Sequence, residues 1–571
     1  MKKLIFLLLL ILLAAAGLVY YKKWRSEFLR QKVPQLVFLE SDSLYRITYE
    51  NVDIDEVDGE IVIRNLQLIP DSTYKKPTDS TLPRNLLKVT VPEIIVTGVQ
   101  TDEAVLNKEI IASTIRLTNP VVTMFNNSRA EKDADSTPTS DKIYKILLRG
   151  LEKINVDTIL ITNADYHICT WPGGDTIFSG SKINAQLHHI TISDSTSIDT
   201  SRVLFAKHAA LDVEKLLLRN KRNLYHYQFN NIQVLSGERS FAVKNLHIIP
   251  LLGETAHMRA AKWQTDRLDF DLYNLLFKRV NVQELLNGNL IADELSIKNA
   301  RFKVFRDKAY PMKKESKIGH YPHQQLMNLP IDISLKKIIV QQGYIEYKEK
   351  NPQTGSSGII TFDDVRASLH NVTNRSNNLQ KNGVMVVHFN SRFLNKVPLS
   401  ATLQFYLNSK NGKFAVNGSM KTTDATIFNR LSKPMAMVEI NAGTIHSLDF
   451  NFNCDNYRAM GIMRLLYDNL KIKLLKKDEE GNVAYKPKKV ISLLANIAII
   501  NANPDKNKPV RTVTVNYARD TYKSMFNLIW KSIFEGAQIT IGIDGKLPLM
   551  KNQKNKSKEP NHKNPKEEQT Q

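Results

Sequence analysis

The chain has 571 residues, 42% of them hydrophobic and 24% charged, with a formal net charge of +22. It is too apolar to be disordered throughout, and its two cysteines exclude a disulfide scaffold and a Cys-rich metal site. The charge is spread along the chain without helix-turn-helix, zinc-finger or aromatic–basic RNA patterns, so no nucleic-acid partner is expected; a basic body beside anionic lipid needs none.

At the N-terminus, Leu4 to Tyr21 form an unbroken apolar run, with Lys2 and Lys3 before it and Lys22, Lys23, Trp24 and Arg25 after it. At 1.5 Å per residue this run nearly spans a bilayer core of roughly 30 Å. A cleaved signal peptide is the rival reading, because Ala14 and Ala16 suit a cleavage site. The run continues past those alanines and ends in aromatic and basic residues, as an anchor does at the interface. The expectation is a single-pass anchor over 1–30, uncleaved, with the body translocated. Cys169 and Cys454 are then in an oxidising compartment where pairing is open to them.

The body carries period-two alternation. The first strands belong to a repeat: 44–70 (LYRITYENVDIDEVDGEIVIRNLQLIP) aligns without a gap to 224–250 (LYHYQFNNIQVLSGERSFAVKNLHIIP), with Leu44/Leu224, Tyr45/Tyr225, Asn51/Asn231, Asn65/Asn245, Leu66/Leu246, Ile69/Ile249 and Pro70/Pro250 identical. The segments 103–125, 154–166 and 182–191 find partners at 283–305, 333–345 and 364–373 in the same order. Two tandem β modules follow, 31–223 and 224–395, and repetition of this kind favours stacked, elongated architecture. The stretches 129–140, 307–329 and 476–489 read as exposed linkers, and short helices are expected near Ile143–Leu151 and Asp212–Leu218.

A third region, 396–545, has the clearest alternation. Val397, Leu399, Ala401, Leu403, Phe405 and Leu407 fall on one face, and Phe414, Val416 and Met420 follow after a turn at Asn411-Gly412. Leu448, Phe450, Phe452 and Cys454 continue the pattern. Then comes the one strong helix, 520–535. Its apolar stripe holds Tyr522, Met525, Phe526, Ile529, Trp530, Ile533 and Phe534, with Asp520 as N-cap and Gly536 as C′ residue. Residues 546–571 form a basic tail expected to be disordered.

The chain resembles the AsmA-like proteins of Gram-negative envelopes, of the Bacteroidetes type, relatives of the bridge-like lipid-transfer proteins. The resemblance is carried by 49–71 (YENVDIDEVDGEIVIRNLQLIPD), VPEIIVTGVQ, IRLTNPVV, 428–475 and 515–542, and its motifs are mostly hydrophobic spacing. It implies a mainly β fold: an N-terminal transmembrane helix, then an elongated antiparallel sheet curled into an apolar groove; the C-terminal amphipathic helix either plugs the end of the sheet or docks on a membrane surface or partner. It also implies an inner-membrane protein with a periplasmic body that binds phospholipid or another lipid, works with envelope partners, and contributes to lipid transport between the membranes. Leu399, Leu403, Phe405, Leu407, Phe450 and Phe452 are the expected groove lining.

A search for chemistry finds no G-x-S-x-G elbow, P-loop or H-E-x-x-H. His188 and His189 are adjacent on a strand and point to opposite faces. His320 and His323 flank Pro322 in a loop, where a metal would be held only weakly. No catalytic residue, cofactor or metal is expected, and the chain is not read as an enzyme. The competing function is a non-transporting envelope scaffold or adhesion protein whose β-cores are filled.

Overall fold

A computed structural model describes residues 33–41, 44–55, 57–71, 85–100, 108–126, 152–171, 174–220, 224–476, 486–487 and 499–543. The apolar run 4–21, the linker 129–140, the segment Ile143–Leu151 and the tail 546–571 lie outside them. The protein is mainly β: of the described residues 60% are strand and 14% helix, and they form one large mixed sheet of 22 strands. Among the described residues, no helix is long and apolar enough to cross a membrane.

Two compact units are present. The first comprises 1–306, 328–347 and 364–385; the second comprises 307–327, 348–363 and 386–571. They do not follow the module boundaries: the first copy of the repeat and most of the second fall in the first unit.

The first unit opens with β1 (Tyr45–Thr48), β2 (Asn51–Asp55), β3 (Glu60–Pro70), β4 (Asn85–Thr97), β5 (Glu109–Thr118), β6 (Val121–Asn126), β7 (Lys153–Thr170), β8 (Thr176–Ile192) and β9 (Ala206–Asn220). Then come β10 (Tyr225–Leu235), β11 (Ser240–Pro250), β12 (Arg267–Lys278) and β13 (Leu290–Asp307). Neighbours pair antiparallel with one exception: β7 runs parallel to both β5 and β6. The purely antiparallel sheet expected from alternation is thus corrected to a mixed one. Parallel neighbours need a long crossover, and the chain between Asn126 and Lys153 supplies it. Asp212–Leu218, expected as a helix, lies in β9, where pairing with β8 and β10 on both sides overrides local propensity.

The repeat is visible in the hydrogen bonding. β1 and β2 meet β3 in the register that β10 makes with β11: Tyr45 faces Pro70 as Tyr225 faces Pro250, and Val52 faces Ile63 as Ile232 faces Val243. The Tyr45 hydroxyl accepts the Leu87 N–H at 3.1 Å, and the Tyr225 hydroxyl accepts the Leu268 N–H at 2.9 Å. Burial pushes both phenols up in pKa. The Val99 N–H reaches the Gly59 carbonyl, and the Val280 N–H the Arg239 carbonyl. Gly59 and Arg239 are both left-handed, at φ 63° and 52°. Further left-handed pairs are Asn119/Asn299, Asn163/Gln342 and Lys182/Asp364. Asparagine is common among them because it tolerates this region better than other L residues, and such positions bend strands as bulges do.

The next strands are β14 (Ile333–Lys350), β15 (Ser357–Thr373) and β16 (Val384–Phe393), each divided between the units. The second unit continues with β17 (Val397–Tyr406), β18 (Phe414–Met420), β19 (Thr423–Asp424), β20 (Val438–Cys454), β21 (Arg458–Lys476), β22 (Lys486–Pro487) and β23 (Thr512–Ala518). β17 and β18 form the expected hairpin around Gly412, at φ 63°.

The C-terminal helix runs from Met525 to Ile541, later than expected. Ser524, rather than Asp520, is the N-cap, accepting the Asn527 N–H, and Gly542 is the left-handed C-cap. Its buried face is Met525, Leu528, Ser532, Gly536 and Thr540. A Cβ on Gly536 would stand 2.6 Å from the Met463 sulfur and 3.1 Å from a Val515 methyl. Small residues therefore let the helix sit close on β21 and β23, and the bulky stripe lies to the side. Tyr522 precedes the helix, and Phe526 is 65% exposed. Ile529 and Ile533 are half-buried, and Trp530 packs against the cluster of Phe393, Leu394, Val397, Met420 and Leu431.

Candidate functional site

The residues expected to line a groove lie on one face of the second unit, but protein covers much of that face. Phe405, Leu407, Phe450 and Phe452 are buried; Leu399 and Leu403 are half-buried. The cover over Phe405 comes from 307–329, expected as an exposed linker. Its helix Pro322–Met327 places His323, 1% exposed, with its ring 4.9 Å from Phe405. Tyr321 stands edge-on to Phe414 and donates its hydroxyl to the Asp455 carbonyl at 2.9 Å. The buried Arg519 guanidinium lies 4.2 Å over the Tyr321 ring and donates to the carbonyls of Asn456, Lys317 and Lys523. Leu399 packs against a core formed by Phe393, Leu394, Val397, Met420 and Leu431.

This filled core perturbs its ionisable groups. Both His323 nitrogens are buried without a hydrogen-bond partner, and burial lowers the imidazole pKa to about 4. Burial pushes the Cys454 thiol up to about 12. Cys454 and Cys169, the latter in the first unit, are both free thiols, so the pairing left open by the sequence is not made. His320 is exposed near the Ile318 carbonyl, away from the aromatic surroundings of His323, so the two do not form a metal pair. Among the described residues, no three His, Cys, Asp or Glu side chains gather in a metal-holding group.

An open apolar surface is found instead in the first unit. In paired strands, residues directly opposite each other share a face. Leu87 faces Met124, which faces Ile168, which faces Phe178. Leu218 faces Phe178 on one side and Tyr227 on the other. Tyr227 faces Ile248, Ile248 faces Phe270, and Phe270 faces Phe302. One register line thus carries an apolar side chain on every strand from β4 to β13 that it crosses. Leu218 is exposed and the others are half-buried.

Leu87 and Phe270 already pack against buried clusters, and two residues further along the strands the same face enters them. Val89 and Val122 belong to one cluster, and Leu272 belongs to another with Phe229 and Leu246 packed on it. Among the described residues, the helical side chains packed on these clusters are Val37 and Leu285. The helix Glu254–Ala261 packs on this face at Tyr225, two residues along β10 from Tyr227. The sequence contains this line, but its members are spread over nine strands and align only once each register is known.

The opposite face is polar. A shallow groove of about 670 Å³ crosses it, where the left-handed residues Asn163, Lys182, Asn231 and Asn274 come together. Its side chains largely serve the bulges: Asn184 accepts the Asn163 N–H, Lys182 pairs with Glu214, and Asp212 accepts from Gln233.

No family model and no curated protein matches this chain.

Proposed function

We propose that the protein is a single-pass, membrane-anchored envelope protein that binds lipid acyl chains along the apolar face of its first unit. It would contribute to phospholipid movement between inner and outer membranes, with the sheet curled as a groove and the body in the periplasm. The observation that carries this is the continuous apolar register line from Leu87 to Phe302, partly exposed along its length, with Leu218 37% exposed. A surface of that kind is costly to leave in water, and an acyl chain laid on it recovers about 0.8 kcal/mol per buried CH₂. The anchor and localisation rest on the apolar run 4–21 and its basic flanks.

The test is mass spectrometry of lipids that copurify with the full-length protein in a lipid-free amphipol. Wild type is expected to carry phospholipid. Leu218→Asp and Ile248→Asp are expected to lose it while keeping their melting transition, because a partly exposed side chain can hydrate where a packed one cannot. Wild type free of lipid, with both variants unfolded, would make this face an ordinary core. The scaffold alternative draws on the second unit, where the expected lining is filled by His323, Tyr321 and the C-terminal helix.

A further inference from the structure

The crossover between β11 and β12, Leu251 to Asp266, sits at the end of the strands that carries the register line. It is held at both ends: the Leu251 N–H donates to the Leu224 carbonyl, and the Arg267 Nε donates to the Leu252 carbonyl at 3.0 Å. Its helix Glu254–Ala261 buries Met258 and His257, the His257 ring lying 5.5 Å from Tyr225. The inner side is therefore fixed to the sheet, and the outer side is left with Arg259, Lys262 and Trp263. Trp263 is 46% exposed and Leu251 40%, and Leu218 on the register line is 37% exposed. Exposed tryptophan and aliphatic side chains beside basic ones are the composition of a surface that sits at the boundary between headgroups and acyl chains. The basic members complement anionic lipid.

We propose that this crossover is a membrane-docking element, seating the rim of the apolar face on an anionic phospholipid surface with Trp263 in the interface. Its role rests on the face being a lipid path, since docking places the end of that path at the bilayer.

Full-length protein is inserted by its N-terminal segment into vesicles of phosphatidylcholine and phosphatidylglycerol. Brominated acyl chains are placed either in these host vesicles or in protein-free acceptor vesicles of the same composition. Quenching that depends on Trp263 is the difference between wild type and Trp263→Phe or Trp263→Tyr, two variants so that one folded protein suffices. It is expected in one of the two arrangements, with a several-fold loss in the double variant Arg259→Glu/Lys262→Glu. Absence of Trp263-dependent quenching in both arrangements overturns the proposal, as does quenching that the charge reversal leaves unchanged. Mass spectrometry of the same samples keeps the two ideas apart: bound lipid without Trp263 quenching removes the docking element and leaves the apolar path intact.

Discussion

His323 should make the second unit sensitive to acid. Its imidazole is surrounded by the rings of Phe405, Tyr321 and Phe414, with the buried Arg519 cation beyond Tyr321 and neither nitrogen hydrogen-bonded. Burial lowers its pKa from 6.5 to about 4. The unfolded chain therefore binds a proton below pH 6.5 that the folded protein refuses until pH 4. The stabilising contribution is complete above pH 6.5 and is lost as the pH falls through that window. A gap of this size corresponds to about 3 kcal/mol in all, of which about 2 kcal/mol is gone by pH 5. Phenylalanine fits an aromatic site and does not titrate. Urea denaturation at pH 7 and pH 5, followed by fluorescence, should show a large loss in wild type and a much smaller one in His323→Phe. His226 and His257, also lowered by burial, add their own slope in both proteins. Equal pH dependence in the two proteins would refute the reasoning.

Phe405→Asp should unfold the second unit at a cost of several kcal/mol, in contrast to Leu218→Asp, since Phe405 is buried under His323 and Leu218 is exposed; circular dichroism melting separates the two. Gly536→Val should cost about 1–3 kcal/mol by forcing the helix off Met463 and Val515, whereas Phe526→Asp should change stability by less than about 0.5 kcal/mol. Tyr45→Phe and Tyr225→Phe should each cost about 1–2 kcal/mol by orphaning the N–H of Leu87 or Leu268, and unequal losses would argue against equivalent roles. Arg306 makes a two-pronged pair with Asp266 where the first copy has Asn126 donating to Asn85. The double variant Asp266→Asn/Arg306→Asn should therefore be more stable than Asp266→Asn alone, as a double-mutant cycle would measure.

The repeat was legible because its identities include two Asn and a Pro and its apolar spacing is kept. Its finer detail was not. Gly59 and Arg239 share a left-handed backbone, yet only the glycine announces it. The offset of 180 becomes 181 along β4 and β12, as Leu87 and Leu268 reveal, and a gapless alignment passes over this shift. In the C-terminal helix, period-3.6 reasoning found the helix and its buried Met525 but missed the rest of the closely packed face. Bulk was taken as the sign of burial, whereas close approach to β21 and β23 selects Ser532, Gly536 and Thr540. The segment 307–329 read as a linker because it is polar overall; Tyr321 and His323 are a short apolar insertion whose partners lie far along the chain. The cover that His323 lays over Phe405 went unseen for the same reason. Alternation assigns a side chain to a face, but only tertiary structure says what stands over that face.

The parallel step between β5 and β7 has a consequence of parity. From β1 to β10 the chain passes through six reversals of direction, at β3, β4, β5, β8, β9 and β10, and one step that does not reverse, at β7. An even number of reversals returns the chain to its starting heading, so the second copy sets out in the same direction as the first and presents its apolar face on the same side. Had β7 joined β5 antiparallel, the count would be odd and the second copy would enter upside down. The crossover thus turns a block with an odd number of strands into a tile that can be laid end to end. Duplication then extends the sheet by whole tiles, each seven strands wide, roughly 33 Å at 4.7–4.9 Å per strand, without breaking the apolar face.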